Sequence, residues 1–163
     1  MGGIRVIEGA LRADGRRWGV VASRFNASLV AALVDGAVDC LLRHGAASED
    51  LRLVRVPGAW EIPAALDAMA AGGGCDGLVA LGVVIRGETP HFDFICGQAS
   101  RGIAEVSARH RIAVGFGLLT CDTAEQAAAR AGGKAGNKGW DAALAAIEMA
   151  DLLSRLGSGG DEP

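Results

Sequence analysis

Leu78-Val79-Ala80-Leu81-Gly82-Val83-Val84-Ile85-Arg86-Gly87-Glu88-Thr89-Pro90-His91 is the stretch on which the reading of the fold turns. Its first eight residues are apolar or glycine, with β-branched side chains among them. A strand with one wet face alternates apolar and polar residues. An unbroken apolar run instead predicts a parallel strand covered on both faces. Gly87-Glu88-Thr89 then turns the chain, and Phe92–Arg109 reads as a helix.

The same alternation of types extends in both directions. Trp18–Ala22, Leu51–Val56 and Ile112–Leu119 are further short apolar runs that predict strands, and Ile4–Glu8 is a weaker one. Ala27–His44 carries Leu29, Val30, Leu33, Val34, Ala37, Val38, Leu41 and Leu42 at the spacing of one helical face. Asn26 or Ser28 is placed to cap it, and Gly45 stands just beyond its end. A second helix is predicted over Ile62–Ala71, with Pro63 in its first turn and Gly72-Gly73-Gly74 after it. Asp122-Thr123-Ala124-Glu125 reads as a capping box opening another helix that ends near Gly132, and Trp140–Leu156 is the last. The β-α-β-α-β-α-β order predicts a three-layer α/β/α sandwich around a central, mainly parallel four-stranded sheet, with right-handed crossovers. Residues 1–156 are expected to form a single domain, and residues 157–163 a disordered tail.

Composition narrows the classes. A chain of 163 residues buries roughly 70% of its unfolded surface and needs no disulfide or metal to hold a core. Hydrophobic residues make up 50% of it, yet no run is long enough to span a membrane, and the N-terminus lacks the apolar stretch of a signal peptide. Gly2 invites myristoylation, but Val6 stands where that motif needs Ser or Thr. A net charge of −3 provides no general attraction to nucleic acid. Cys40, Cys75, Cys96 and Cys121 include no Cys-x-x-Cys pair and no His-rich partner segment, so they are expected to be buried free thiols in a reducing compartment, the cytoplasm.

In an open parallel sheet, ligands bind beyond the carboxyl ends of the strands. The segments there are Ser23–Asn26, Pro57–Glu61, Arg86–His91 and Thr120–Thr123. His91 follows a strand and begins a helix, and histidine as a residue type suits proton transfer; a structural histidine is the alternative. His44 and His110 sit near helix C-termini, where the dipole accounts for them. Gly87-Glu88-Thr89 can present backbone N–H groups to an anion, or can simply begin a helix. Arg130 can fork onto a phosphate or lie on a solvated helix face. Phe25, one of four phenylalanines, can stack on a ring or pack in a core. Glu61 can accept from a polyol or complement the dipole of the helix it precedes.

Taken together, Arg24-Phe25-Asn26, Pro57-Gly58-Ala59-Trp60-Glu61-Ile62-Pro63, Gly82–Phe92 with its Arg86-Gly87-Glu88-Thr89-x-His91 core, Phe116-Gly117-Leu118-Leu119-Thr120, Glu125-Gln126-Ala127 and Ala135-Gly136-Asn137-Lys138-Gly139 resemble, in order and spacing, the blocks of the lumazine synthase family. The likeness runs from about Trp18 to Leu152. Two departures are Pro90 before the histidine and the absence of Gly and Pro in Arg109–Ala113. The resemblance implies a flavodoxin-like fold and an enzyme of riboflavin biosynthesis. That enzyme joins 5-amino-6-(D-ribitylamino)uracil to 3,4-dihydroxy-2-butanone 4-phosphate, giving 6,7-dimethyl-8-ribityllumazine, phosphate and water, without cofactor or metal. It implies that Phe25 stacks on the pyrimidine, that Ala59, Trp60 and Glu61 line the ribityl chain, and that Val83, Val84 and Ile85 meet the heterocycle edge. Glu88, Thr89 and Arg130 would surround the phosphate. His91 would move protons, oriented by Asp141, and Phe116 and Lys138 would close the site from a neighbouring subunit. It also implies pentameric rings. Separately, the weak strand Ile4–Glu8 is expected to pair with a neighbouring subunit, because an exposed edge strand tends to be covered. The short loop Gly132–Gly139 resembles that of relatives packing twelve pentamers into an icosahedral shell. A flavin-binding relative without catalysis would need neither His91 nor Arg130.

Overall fold

The apolar run at the centre of the sequence resolves, in a computed structural model that describes residues 3–157, into two interleaved sets of side chains. β3 spans Gly77–Ile85. Its Val79, Leu81 and Val83 enter one core, while Leu78 and Ala80 enter another. Successive side chains on a strand point to opposite faces, so a strand with no polar position must feed two cores. β1, Trp18–Ser23, divides in the same way: Trp18, Val20 and Ala22 on one side, Val21 on the other.

These two strands are the inner pair of a sheet ordered β2-β1-β3-β4, every neighbour parallel, with β2 at Leu51–Val56 and β4 at Ala113–Cys121. α1 (Ala27–Arg43) and α5 (Lys138–Gly157) cover the first face. α2 (Ile62–Ala71) and α3 (His91–His110) cover the second. This is the α/β/α sandwich that the order of elements predicts. Two glycines set the depth of packing around α5. A Cβ on Gly139 would overlap the carbonyl of Leu33 in α1, and one on Gly115 would overlap the carbonyl of Ala142.

Several local expectations are corrected. Asn26 does not cap α1 with its side chain: it adopts the left-handed conformation (φ 58°), and its Nδ2 donates instead to Val83 O at 2.8 Å. The capping signal before α4 (Ala124–Arg130) lies one residue later than expected, because Thr123 Oγ1 accepts from Gln126 N at 3.2 Å. The expected loop Gly132–Gly139 is a tight hairpin, β5 (Ala131–Gly133) against β6 (Gly136–Asn137), with positive φ at Gly132 and Gly136. Asn137 then caps α5, its Oδ1 accepting from Gly139 N at 2.8 Å while Nδ2 donates to Ala32 O at 2.8 Å.

The strand expected over Ile4–Glu8 does not form within this chain. The segment has no ladder, and Ile4 and Val6 are both 68% exposed. An isolated run of five residues gains nothing from extension without an edge to pair with. Gly157 ends α5 rather than opening a tail, and positions 158–163 of the expected tail lie outside the described residues.

Beyond Glu8 the chain is anchored by Asp151. Its carboxylate accepts from Ala10 N at 2.8 Å, Arg16 at 3.0 Å and Arg155 at 2.6 Å, and its side chain is only 15% exposed. The hydrogen bond from the Ala10 backbone N–H, assisted by the two guanidinium groups, pulls the carboxyl down from 3.8 to about 2. A depressed carboxyl contributes stability that is present above its unfolded value and lost as pH falls through its folded value. Asp151→Asn is therefore expected to cost about 1.5–3 kcal/mol at pH 7, the worth of a charged hydrogen bond. The difference from wild type should vanish between pH 4 and 2, as read by urea melts across that range.

Candidate active site

The carboxyl ends of β1 and β3 and the turn after β2 open into a cavity of about 360 Å³. It is lined by Phe25, Ala59, Trp60, Val83, Val84 and Ile85 below, and by Gly87, Thr89, His91 and Phe92 at the mouth of α3. Hydrogen bonds lace its floor: Arg24 N donates to Val56 O at 2.8 Å, Phe25 N to Pro57 O at 3.2 Å, and the Asn26 amide to Val83 O. Phe25 and Trp60 nevertheless stand 72% and 56% exposed. Large rings held open on a rigid floor are surfaces awaiting a flat partner. His91 is the first residue of α3, exposed, and its ring makes no hydrogen bond to a described residue. No Lys, Arg, Asp or Glu lines this cavity.

The missing charge sits elsewhere on the same edge of the sheet. A second opening of about 330 Å³ follows the outer strand β4, lined by Phe116, Leu118, Thr120, Gln126, Arg130 and Lys138. Arg130 donates to Gln126 O at 3.0 Å, which leaves the rest of its fork available. Lys138 Nζ lies 2.7 Å from Asp141 Oδ2. Asp141 makes no hydrogen bond to His91 of its own chain. Phe116 is half exposed.

The candidate residues therefore fall into two groups on one chain, the first around Phe25 and His91 and the second around Phe116 and Arg130. Glu61 and Glu88 line neither opening. Glu61 Oε2 accepts from Gly58 N at 2.9 Å, closing the single helical turn Ala59–Glu61 ahead of α2, so one of its oxygens is already committed. Glu88 is exposed on the turn. A larger basin of about 480 Å³ lies at the amino ends of the strands, beside Arg16, Cys75 and Arg111. It holds none of the candidate residues and lies at the end of the sheet away from which such folds bind ligands. Among the described residues no group of three His, Cys, Asp or Glu side chains is placed to hold a metal ion. No described helix is long and apolar enough to cross a membrane, and the four cysteines are free.

Sequence reasoning missed two contributors. Asn26 reads as a helix cap, and only its hydrogen bond to Val83 O reveals that it is turned toward β3. Gln126, which the sequence offers only as part of the block Glu125-Gln126-Ala127, accepts through its side chain from Asp122 N at 2.9 Å and so fixes the turn that precedes Arg130.

Comparison with known proteins gives one consistent result. A sequence model of 6,7-dimethyl-8-ribityllumazine synthase matches residues 15–154. The protein of that name from Aquifex aeolicus is 54% identical over 153 residues, covering 94% of this chain and 99% of its own. That from Desulfatibacillum aliphaticivorans is 55% identical over 152 residues, covering 93% and 98%. That from Desulfovibrio desulfuricans is 51% identical over 156 residues, covering 96% and 100%.

The Asn26 tether generates a prediction independent of any activity. Asn26→Ala removes a partly buried hydrogen bond and places an alanine at positive φ. It should destabilise the fold by about 1–3 kcal/mol, as read by thermal unfolding. Asn26→Gly, which relieves φ but not the lost bond, should recover part of the loss.

Proposed function

The chain belongs to the 6,7-dimethyl-8-ribityllumazine synthase family, and we propose that it condenses 5-amino-6-(D-ribitylamino)uracil with 3,4-dihydroxy-2-butanone 4-phosphate at a site assembled from two chains. The observation that carries this reading is the division of chemistry between the two openings. The first has aromatic faces and a histidine but no fixed charge; the second has Arg130 and Lys138. A flat uncharged pyrimidine suits the first, and a phosphate ester suits the second. Condensing the two substrates requires both openings to face one another. A heterologous contact between neighbours in a closed ring brings the second opening of one chain against the first opening of the next.

In this arrangement Phe25 stacks on the pyrimidine. Ala59 and Trp60 flank the ribityl chain, and Glu61 accepts from its hydroxyls through the oxygen not engaged by Gly58. Val83, Val84 and Ile85 meet the heterocycle edge. The backbone of Gly87, Glu88 and Thr89 at the start of α3, with the Thr89 hydroxyl, receives the phosphate from one side. Arg130 of the neighbour receives it from the other, and Phe116 and Lys138 close the site. The reaction proceeds through imine formation, loss of phosphate and ring closure. His91 carries the protons, and the neighbour's copy of Asp141 is the group available to orient it. Holding two reactants in line can contribute roughly 7–11 kcal/mol to lowering the barrier, and a positioned acid–base about 10²–10⁴-fold. No cofactor or metal enters this scheme.

The ring we favour is a pentamer, with residues 1–156 of each chain acting as one unit. The exposed apolar segment Ile4–Glu8 would then pair with a sheet edge of the adjacent subunit, which relieves both an unpaired run and a bare edge. The tight β5–β6 hairpin keeps the outside of the ring compact, and twelve such rings closing into a shell is the assembly it favours. The substrates are small, the net charge of −3 gives no general attraction to nucleic acid, and no described helix is long and apolar enough to cross a membrane. The four free thiols fit the cytoplasm.

The direct test is to mix both substrates with the protein and follow lumazine absorbance and fluorescence; no product would overturn the reading. His91→Ala should lower kcat by roughly ten- to a thousandfold with the fold retained. Arg130→Ala removes a charged hydrogen bond of about 1.5–3 kcal/mol. It should raise KM for the butanone phosphate about ten- to a hundredfold while leaving that for the pyrimidine nearly unchanged. A variant in which only the pyrimidine suffers would contradict the phosphate assignment.

A further inference from the structure

We propose that Arg86 is a positioning residue that sets His91 and Arg130 from a single point, and so tunes two neighbouring sites of the ring at once. The inference rests on the functional reading above. Arg86 lines neither opening. It follows the last residue of β3, and its backbone N–H donates to Cys121 O at 2.9 Å, at the end of β4. Its side chain then reaches both ways. Toward α3, the guanidinium carbon sits 4.2 Å from the centroid of the Phe92 ring, and Nη1 lies 3.3 and 3.4 Å from the two Asp93 oxygens. Phe92 and Asp93 are the residues immediately after His91. Toward α4, Nε donates to Asp122 Oδ1 at 2.8 Å.

The second arm continues. Asp122 N donates to Gln126 Oε1 at 2.9 Å, and Gln126 O accepts from Arg130 Nη1 at 3.0 Å. An unbroken series of contacts therefore runs from the helix start that bears His91, through Arg86, to the guanidinium of Arg130. In the assembled ring those two residues serve different sites, so one brace serves both.

The chemistry explains why this position needs arginine. A planar guanidinium can stack on a ring and still fork to two carboxylates, whereas a lysine ammonium offers neither the plane nor the fork. The pairs are exposed, with side-chain exposures of 44% for Arg86, 64% for Asp93 and 63% for Asp122. Exposed pairs of this kind add little to stability. The value of the brace is in geometry, and misplacement of a catalytic group by about 1 Å can cost on the order of a hundredfold in rate.

Steady-state kinetics on the full assembled chain tests this. Arg86→Gln and Arg86→Lys should each lower kcat by about tenfold or more and raise KM for the butanone phosphate, with the pyrimidine KM within about twofold and the melting temperature unchanged. The double variant Asp93→Asn with Asp122→Asn should reproduce that loss with Arg86 intact, and adding Arg86→Gln to it should cause no further loss, because members of one network are not additive. If Arg86 instead gripped the phosphate directly, the carboxylate variants would leave KM for the butanone phosphate intact or lower it, and the proposal would fall. It would fall equally if Arg86→Lys kept full kcat, or if the losses added. Should Arg86→Gln not assemble, Arg86→Lys and the carboxylate pair decide the matter alone. An inactive wild-type chain would count against the functional reading rather than against the brace.

Discussion

Everything in this structure depends on β3 being apolar on both faces. Val79, Leu81 and Val83 cannot be buried unless α1 and α5 lie on one side, and Leu78 and Ala80 cannot unless α2 and α3 lie on the other. Helices on both faces require crossover connections, which make the strands parallel and bring all their carboxyl ends to one edge. The candidate site is a consequence of that edge. Phe25, Ala59 and His91, which follow β1, β2 and β3, and Thr120, near the end of β4, lie along one rim because the sheet has no antiparallel member.

The same constraint explains which parts of the fold were legible in the sequence. Long apolar runs, periodic helical faces and the glycines that end them report burial directly, so the predicted strands and helices lie close to the observed ones. Some of the misreadings concern residues whose role is set by a partner distant in sequence, and others are local. Asn26 bonds to a strand 57 residues away, a contact that overrides the capping preference of its type. Asn137 joins α5 to α1 across 105 residues. The hairpin after Arg130 is short enough that no strand pattern can develop in it. Ile4–Glu8 has a strand's composition but forms no ladder within its own chain.

The site divides along similar lines. His91, Phe25 and Arg130 each carried an ordinary alternative when read singly, because a lone histidine, phenylalanine or arginine has many uses. The ordered blocks named the family, and more than half of the residues are identical to those of its relatives. Neither kind of reading could show Arg86 at work, since its partners Asp93 and Asp122 lie on different elements and become neighbours only once β3 and β4 are paired.

The central claim is that each chain carries two incomplete halves, a neutral aromatic one with His91 and a basic one with Arg130, which are completed only by neighbours. The most direct measurement exchanges subunits between inactive His91→Ala and Arg130→Ala proteins. If the halves come from different chains, an equal random mixture places a wild-type His91 opposite a wild-type Arg130 at about one boundary in four, and activity returns to about a quarter of wild type. If both residues serve one site from the same chain, mixed assemblies will form and remain as inactive as their parents, and the account of a shared site will be wrong.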